Sequence, residues 1–545
     1  MEKSKKFKIL IIVPRYPSDK RSVNEANFRY QFPFGLAYIS AVLKKEGYDT
    51  DILNLNHYNG STEELINKKL DEKKYDFVGS GGNAMIYYII KCMINSVKKH
   101  KTKPKFILGG PIITSEPELI FKSLKPDFAV VGEGEETIVE LLDCLEKKKN
   151  MEKVKGIIYF DKNSKMIMNK KREVIQNLET LPFPDFDGLE FEKFLKHSHC
   201  NDFFYTQFFD YPRIYPIFGS RGCPFNCTFC YHEGRYRKRS IKNIMKELIP
   251  AVKKYKINII YLYDECFSID KKRLYELCKE IKKLRKEISW DLRWTCQLSA
   301  GYVNKEVLKE MKNSGCVMIS YGFESMSPEV LKSMRKPITP EQIDTIFKET
   351  LKQKMGMQGF FIFGDIVETK ETAKITLDWW KKNAKGQIGL GFIQPYPGSE
   401  IYNHCLKKGI IKDRLEYIKN EISIDQWHNM TDKMTDKEIK KLKKEILGCM
   451  ARYCKFVKPI SMKKEKENVY EFKVRCPYCG KMQDYKNCFV KNRYSYGFYM
   501  TCRNCFMRFF IVSLIQKLGY RYYPQVRAIR DLQRRFHEYF IKKKL

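Results

Sequence analysis

Three observations predict an α/β chain of several domains. Short apolar runs alternate with helical patterns from residue 8 to about 148, and again from 214 to about 395. At 545 residues the chain is too long for one core. Two C-x2-C pairs mark a separate small module near the end. The predicted order is a doubly wound domain (1–149), a linker with a hairpin (150–213), six βα units (214–400), a helical segment (401–468), a zinc-ribbon-like module (469–510) and a basic aromatic tail (511–545).

In the first domain, strands are expected near 8–13, 50–55, 76–80, 105–109 and 127–131. Between the first two, Gly35-Leu-Ala-Tyr-Ile-Ser-Ala-Val-Leu-Lys-Lys-Glu46 has apolar residues at helical spacing. This pattern gives a five-stranded parallel sheet covered on both faces, and its ligand belongs outside the carboxyl ends of the strands. Glycine clusters fall there: Gly79-Ser-Gly-Gly82, Gly109-Gly-Pro111 and Gly132-Glu-Gly-Glu135. Glycine lets backbone approach a ligand closely, so Gly79, Ser80, Gly109, Gly110, Gly132, Glu133 and Gly134 are candidate contacts.

In the linker, Gly156-Ile-Ile-Tyr-Phe160 and Lys165-Met-Ile-Met168 read as a hairpin, and Leu181-Pro-Phe-Pro-Asp185 as rigid extended chain. The aromatic stretch Phe203-Phe-Tyr-Thr-Gln-Phe-Phe209 reads as packing surface.

The six βα units take strands near 214–219, 258–263, 290–296, 316–321, 358–363 and 388–393. Directly after the first lies Gly219-Ser-Arg-Gly-Cys-Pro-Phe-Asn-Cys-Thr-Phe-Cys-Tyr231. Three thiolates on one short loop, Cys223, Cys227 and Cys230, can hold three irons of a [4Fe-4S] cubane and leave the fourth open for chemistry. The alternatives are three unrelated buried cysteines or a zinc site short of one ligand. Asp264, Glu265 and Glu324 sit at strand ends, where helix capping is the structural alternative.

Cys476-Pro-Tyr-Cys479 and Cys502-Arg-Asn-Cys505 supply four thiolates, the set for a closed structural zinc site. A rubredoxin-like iron or an auxiliary cluster is the alternative, with Cys488 between the pairs. The tail joins an apolar run, 506–515, to a basic segment, 520–535, which could pack on the protein, contact an anionic membrane peripherally or bind nucleic acid.

Composition bounds the class. A hydrophobic content of 43% excludes disorder as the default state. The apolar run 9–13 is too short for a secretory signal and no stretch has the length of a membrane span, so a cytoplasmic protein is expected. Eighteen cysteines there argue for metal and cluster ligation. The formal net charge of +37 favours anionic partners, although much of it is lysine on helical faces such as 437–444, where solvated surface is the simpler reading.

The C-x3-C-x2-C loop resembles the signature of the radical S-adenosylmethionine (SAM) enzymes, and the glycine turns, with Pro33-Phe-Gly-Leu-Ala-Tyr38 and Lys45-Glu-Gly-Tyr-Asp49, resemble the cobalamin-binding domain of their B12-dependent branch. Gly322-Phe-Glu-Ser325 resembles that family's G-x-E-S element, and Gln394-Pro-Tyr-Pro-Gly-Ser-Glu-Ile-Tyr402 its barrel-closing element. Gly364-Asp-Ile-Val-Glu-Thr369 resembles a G-x-P-G-E-T turn but lacks its proline and second glycine. The resemblance implies a partial (βα)6 barrel with SAM chelated at the open iron. It implies SAM contacts at Phe229, Asp264, Glu265, Gly322 and Glu324, and cobalamin at the glycine turns. No Asp-x-His-x-x-Gly motif is present and His57 reads as an ordinary loop residue, which implies cobalamin with its base off and no histidine ligand.

The activity implied is methyl transfer to an unactivated carbon of a small-molecule, lipid or peptide substrate, using a 5′-deoxyadenosyl radical and methylcobalamin. An external one-electron reductant, flavodoxin or ferredoxin, is implied with it. A cobalamin-using cyclase or rearrangement enzyme and an RNA-modifying enzyme are the rival readings. A non-catalytic iron-sulfur sensor is disfavoured by the motifs beyond the cysteines.

Overall fold

The computed structural model describes residues 6–16, 24–231, 233–384, 386–422 and 428–521. These form two compact units. The first comprises the chain up to His197 together with the stretch from Pro395 to 422, and the second runs Ser198–Gln394 and then from 428 onward.

The sheet of the first unit contains β1 (Lys8–Val13), β2 (Asp49–Asn54), β3 (Phe77–Gly81), β4 (Lys105–Gly109) and β5 (Phe128–Val130) in the order β2-β1-β3-β4-β5, all parallel. Both faces are apolar. Leu10, Ile12, Val78, Phe106 and Leu108 enter one core, and Ile9, Ile11, Phe77, Ile107 and Phe128 the other. Successive strand residues point to opposite faces, so a run such as Ile9-Leu-Ile-Ile-Val13 serves two helical layers at once.

The hairpin at 157–168 is not a free linker. β6 (Ile157–Phe160) pairs antiparallel with β5, and β7 (Met166–Met168) with β6, extending five strands to seven. The helical segment also divides. The helix Glu400–Lys407 and residues 414–422 join the first unit, where Glu116 accepts hydrogen bonds from Tyr402 Oη (2.8 Å) and Arg414 Nη1 (3.0 Å) and Ile418 enters the core.

In the second unit, β8 (Ile214–Ile217) is followed by the short pair β9 (Ser220–Arg221) and β10 (Arg237–Lys238). Then come β11 (Ile259–Leu262), β12 (Arg293–Leu298), β13 (Cys316–Glu324), β14 (Gly356–Phe363) and β15 (Gly389–Phe392). Their order, β8-β11-β12-β13-β14-β15, is the chain order and every pairing is parallel, as a partial βα barrel requires. Tyr321 hydrogen-bonds Thr350 of the helix Pro340–Lys352, which turns that set of β13 side chains to the helical layer. On β14 Phe360 is 48% exposed, lying across Gly389 on the inner face.

The C-terminal module begins earlier than the sequence suggests. β16 (Phe456–Val457) and β17 (Ser461–Lys466) precede β18 (Val469–Arg475), β19 (Met482–Phe489), β20 (Gly497–Thr501) and β21 (Arg508–Val512), in two three-stranded sheets ordered β17-β18-β19 and β16-β21-β20. The apolar run after 506 is thus largely strand β21. The basic segment 520–535 lies almost wholly outside the described residues. The aromatic stretch 203–209 packs as expected: Tyr205 stacks on Tyr261 at 4.3 Å and Phe208 on Phe506 at 5.8 Å.

Candidate functional site

The cysteine loop springs from the carboxyl end of β8. Gly222 has φ 72°, and a Cβ there would lie 2.8 Å from the carbonyl oxygen of Arg235, so only glycine closes the base of the loop. The root is clamped by Asp264, which accepts from the backbone N–H of Gly219 (2.5 Å) and from Ser220 Oγ (2.6 Å). Arg273 donates to the carbonyls of Gly219 (2.6 Å) and Arg239 (3.1 Å) and faces Asp264 at 3.7 Å. The Asp264 side chain is 0% exposed, and its contacts here are with the root of the loop. Glu265, next in sequence, is exposed at the same strand end, and Phe229 is half-buried within the loop.

Cys223 and Cys227 are half-buried and Cys230 is exposed. Burial pushes the Cys223 thiol up to about 11; much of Cys230 is open to solvent, but packing around its sulfur raises that thiol too, and the charges of Glu265 and the neighbouring cysteines add to both shifts. Three thiolates become compatible there only with a strongly positive group among them. Among the described residues, the only group of metal-ligating side chains whose donor atoms all lie within 4.8 Å is elsewhere, in the C-terminal module. Nearby Cys266 is buried with its thiol 3.8 Å from Ser268 Oγ.

Across the loop stands Glu324, at a register shift that ends β13 and with a left-handed φ of 63°. That backbone costs about 1 kcal/mol in a non-glycine residue and persists because the surroundings hold it. Glu324 Oε1 accepts from Lys336 Nζ at 2.8 Å. A Cβ on Gly322 would stand 2.5 Å from that oxygen and 2.7 Å from that nitrogen, so Gly322 makes the room for the pair. The segment leading to Lys336 backs the loop: Thr228 N–H donates to the Met334 carbonyl (3.2 Å), and Cys227 Sγ lies 3.9 Å from that of Arg335. Burial opposes the Lys336 charge, yet Glu324 and the Cys227 and Cys223 thiols hold its pKa above the ordinary value.

The 364–369 turn closes on itself. Glu368 accepts from Gly364 N–H at 2.5 Å, burial raises its carboxyl to about 8, and Thr369 caps the helix Lys370–Trp379.

In the first unit the glycine ends do two jobs. A Cβ on Gly81 would lie 2.7 Å from the Gly109 carbonyl, and one on Gly110 (φ 82°) 2.9 Å from Gly82 N, so these glycines let two loops touch. At Gly79 a Cβ would meet nothing within 4 Å, and at Gly109 only an atom at 4.0 Å: bare backbone beside open space, as a ligand-facing strand end requires. Ser80 Oγ donates to the Ile12 carbonyl (2.7 Å), which ties β3 to β1. Glu133 accepts from Ile175 N–H (2.7 Å), and Gly132 N–H donates to Thr114 Oγ1 (3.0 Å). Gly134 packs close to Ile39.

His57 is more than a loop residue. Its side chain is 0% exposed, with Nε2 2.8 Å from Tyr30 Oη and Nδ1 3.2 Å from Glu190 Oε2. Both ring nitrogens are engaged, so His57 has none to offer cobalt. The donor set at the strand ends is backbone, which fits a cobalamin held without a protein ligand on the metal.

In the C-terminal module, Cys476 and Cys505 have sulfurs 3.7 Å apart, as do Cys479 and Cys502, and all four lie within 4.8 Å. A tetrahedral ion with bonds of about 2.3 Å needs sulfur separations near 3.8 Å. Hydrogen bonds from Cys476 and Cys505 pull the Cys502 thiol below its ordinary value, and backbone N–H groups of Asn504 and Cys505 point at its sulfur. Cys488 stands apart, buried, with its thiol toward the carbonyls of Tyr485 and Lys486.

Lys336 and Arg273 were not singled out from sequence. Each is a lysine or arginine among 102 in the chain, and nothing local marks it as buried.

Comparison with known proteins agrees with this geometry. Residues 217–379 match the Radical SAM superfamily and residues 28–142 the B12 binding domain. An uncharacterized methyltransferase of Pyrococcus horikoshii is 30% identical over 420 residues, covering 75% of this chain and 85% of the relative. The anaerobic magnesium-protoporphyrin IX monomethyl ester cyclase of Rubrivivax gelatinosus is 25% identical, covering 75% of this chain and 72% of the relative. In fold, the chain resembles the radical SAM methyltransferase TsrM of Kitasatospora setae, solved with cobalamin and a [4Fe-4S] cluster bound, at a TM-score of 0.61 and 15% identity, over 75% of this chain and 79% of that one. The chain belongs to the cobalamin-binding radical SAM enzyme family. SAM, a [4Fe-4S] cluster and cobalamin are its cofactors, and a small-molecule substrate and an external reductant go with that chemistry. No helix among the described residues is long and apolar enough to cross a membrane.

Proposed function

We propose that the chain transfers a methyl group from SAM, by way of cobalamin, to an unactivated carbon of its substrate. The observation that carries this reading is the cysteine loop. It offers three thiols at a barrel strand end, fixed at its root by Asp264 and Arg273, in a chain whose His57 beside the glycine-ended sheet already has both ring nitrogens engaged. Cys223, Cys227 and Cys230 are the cluster ligands in this proposal, and Glu324, Gly322, Glu265 and Phe229 line the SAM side. Gly79, Gly109, Gly110, Gly132 and Gly134 give backbone to cobalamin, while Ser80 and Glu133 hold the loops that carry it. With the cofactors bound, the chemistry supplied is reductive cleavage of SAM to a 5′-deoxyadenosyl radical and delivery of a methyl group. The protein's residues hold the loop, orient the carboxylate at 324 and keep water out.

The relationship to a methyltransferase at 30% identity supports the assignment. The test is product analysis with methyl-labelled SAM. S-adenosylhomocysteine and 5′-deoxyadenosine are expected together, with label in the product. Turnover that yields 5′-deoxyadenosine and no S-adenosylhomocysteine would favour the second reading, a cyclase, to which the relative in Rubrivivax gelatinosus points.

Cys476, Cys479, Cys502 and Cys505 are proposed to bind one structural zinc, on the strength of four converging thiols with no open position. The eighteen cysteines, all free, suit a reducing compartment.

A further inference from the structure

Lys336 is a largely shielded cation beside the cysteine loop, and the reading of that loop as a cluster site does not use it. Its side chain is 13% exposed and its partner Glu324 10%. The ammonium is fixed at 2.8 Å from Glu324 Oε1, in space that exists because residue 322 is glycine. The preceding backbone is bonded to the loop itself, through Met334 to Thr228 and Arg335 to Cys227. The segment that carries Lys336 is thus held against the loop, and Glu324 holds its ammonium.

We propose that Lys336 is a positioning residue that sets the reduction potential of the loop's cluster, its positive charge favouring the reduced state while Glu324 opposes it. The proposal rests on the assignment of Cys223, Cys227 and Cys230 as cluster ligands. The step concerned is the entry of one electron from an external one-electron donor into the cluster. The reduced form carries one more negative charge, so a fixed cation nearby stabilises it and a fixed anion destabilises it. The pair is a balance, and removal of either member tips it in a known direction.

The experiment is anaerobic reconstitution of the full chain without SAM, followed by redox titration monitored by electron paramagnetic resonance. Lys336→Met is expected to lower the potential by at least a tenfold fall in the reduction equilibrium constant, about 59 mV for a one-electron couple. Glu324→Gln, which leaves the lysine uncompensated, is expected to raise it, and Lys336→Arg to stay near the parent. Opposite shifts from the two members are not produced by a merely structural contact. Equal potentials in all four proteins, or shifts of the same sign in Lys336→Met and Glu324→Gln, would overturn the proposal. If Lys336→Met assembles no cluster, the sign of the Glu324→Gln shift decides alone. A parent chain that takes up no [4Fe-4S] cluster would instead remove the underlying assignment.

Discussion

Glu368 shows how far burial can move a single group. Its carboxyl is held at about 8 by desolvation, against 4.5 for an ordinary glutamate. A raised carboxyl contributes its stability below the unfolded value and loses it as pH rises through the folded one. Glu368→Gln, close in shape to the neutral acid, should therefore gain on the parent in unfolding free energy as pH rises from about 4.5 to 8. Denaturant titrations at pH 6 and 8 check this, and an unchanged gap would refute it. Asp264 and Glu265 make a second residue-scale contrast. Asp264→Ala strips the loop root and leaves Arg273 buried without its counter-charge, a loss of about 3–5 kcal/mol, so iron content should fall. Glu265→Gln should keep the iron and weaken SAM binding, measured by equilibrium dialysis. The sequence placed both acids at the right strand end, because a carboxylate after a barrel strand is where chemistry or capping occurs. It could not say which of two adjacent acids turns inward, since that depends on Arg273, nine residues further on in the next helix.

At the scale of elements, the parallel strands were legible because each is apolar on both faces. The hairpin's place in the sheet was not, since a pairing of β6 with β5 is set by contacts across the helix Glu135–Glu146 and leaves no local mark. The glycine ends were legible as a group but not singly. Gly110→Ala forces a side chain onto a positive φ and onto Gly82 N, and should destabilise the first unit. Gly79→Ala meets no atom of the protein, so it should leave the unfolding midpoint unchanged and reduce cobalamin retention alone. Visible absorbance after gel filtration reads the second effect and thermal unfolding the first. If Gly79→Ala retained cobalamin in full, the ligand would lie elsewhere.

For the whole molecule, the C-terminal module joins the barrel through Arg508, which donates to the Gly386 carbonyl at 3.1 Å, and joins the aromatic stretch before the barrel through Gln207, which accepts from Thr501 Oγ1 at 2.8 Å. One zinc per chain is expected by elemental analysis. Its removal by a chelator under denaturant-free conditions should open 469–512 to protease while the strands of the first unit stay protected. Iron there in place of zinc would change the module's role to electron transfer. The first unit is also interrupted in sequence: Glu116 waits for Tyr402 and Arg414, and Ile418 completes its core. During synthesis the ribosome delivers the entire six-stranded barrel before those residues emerge. The nascent N-terminal sheet must therefore persist with a partly uncovered flank and an unanswered carboxylate, and a chain released at 394 should be held by chaperones and degraded faster than one released at 422.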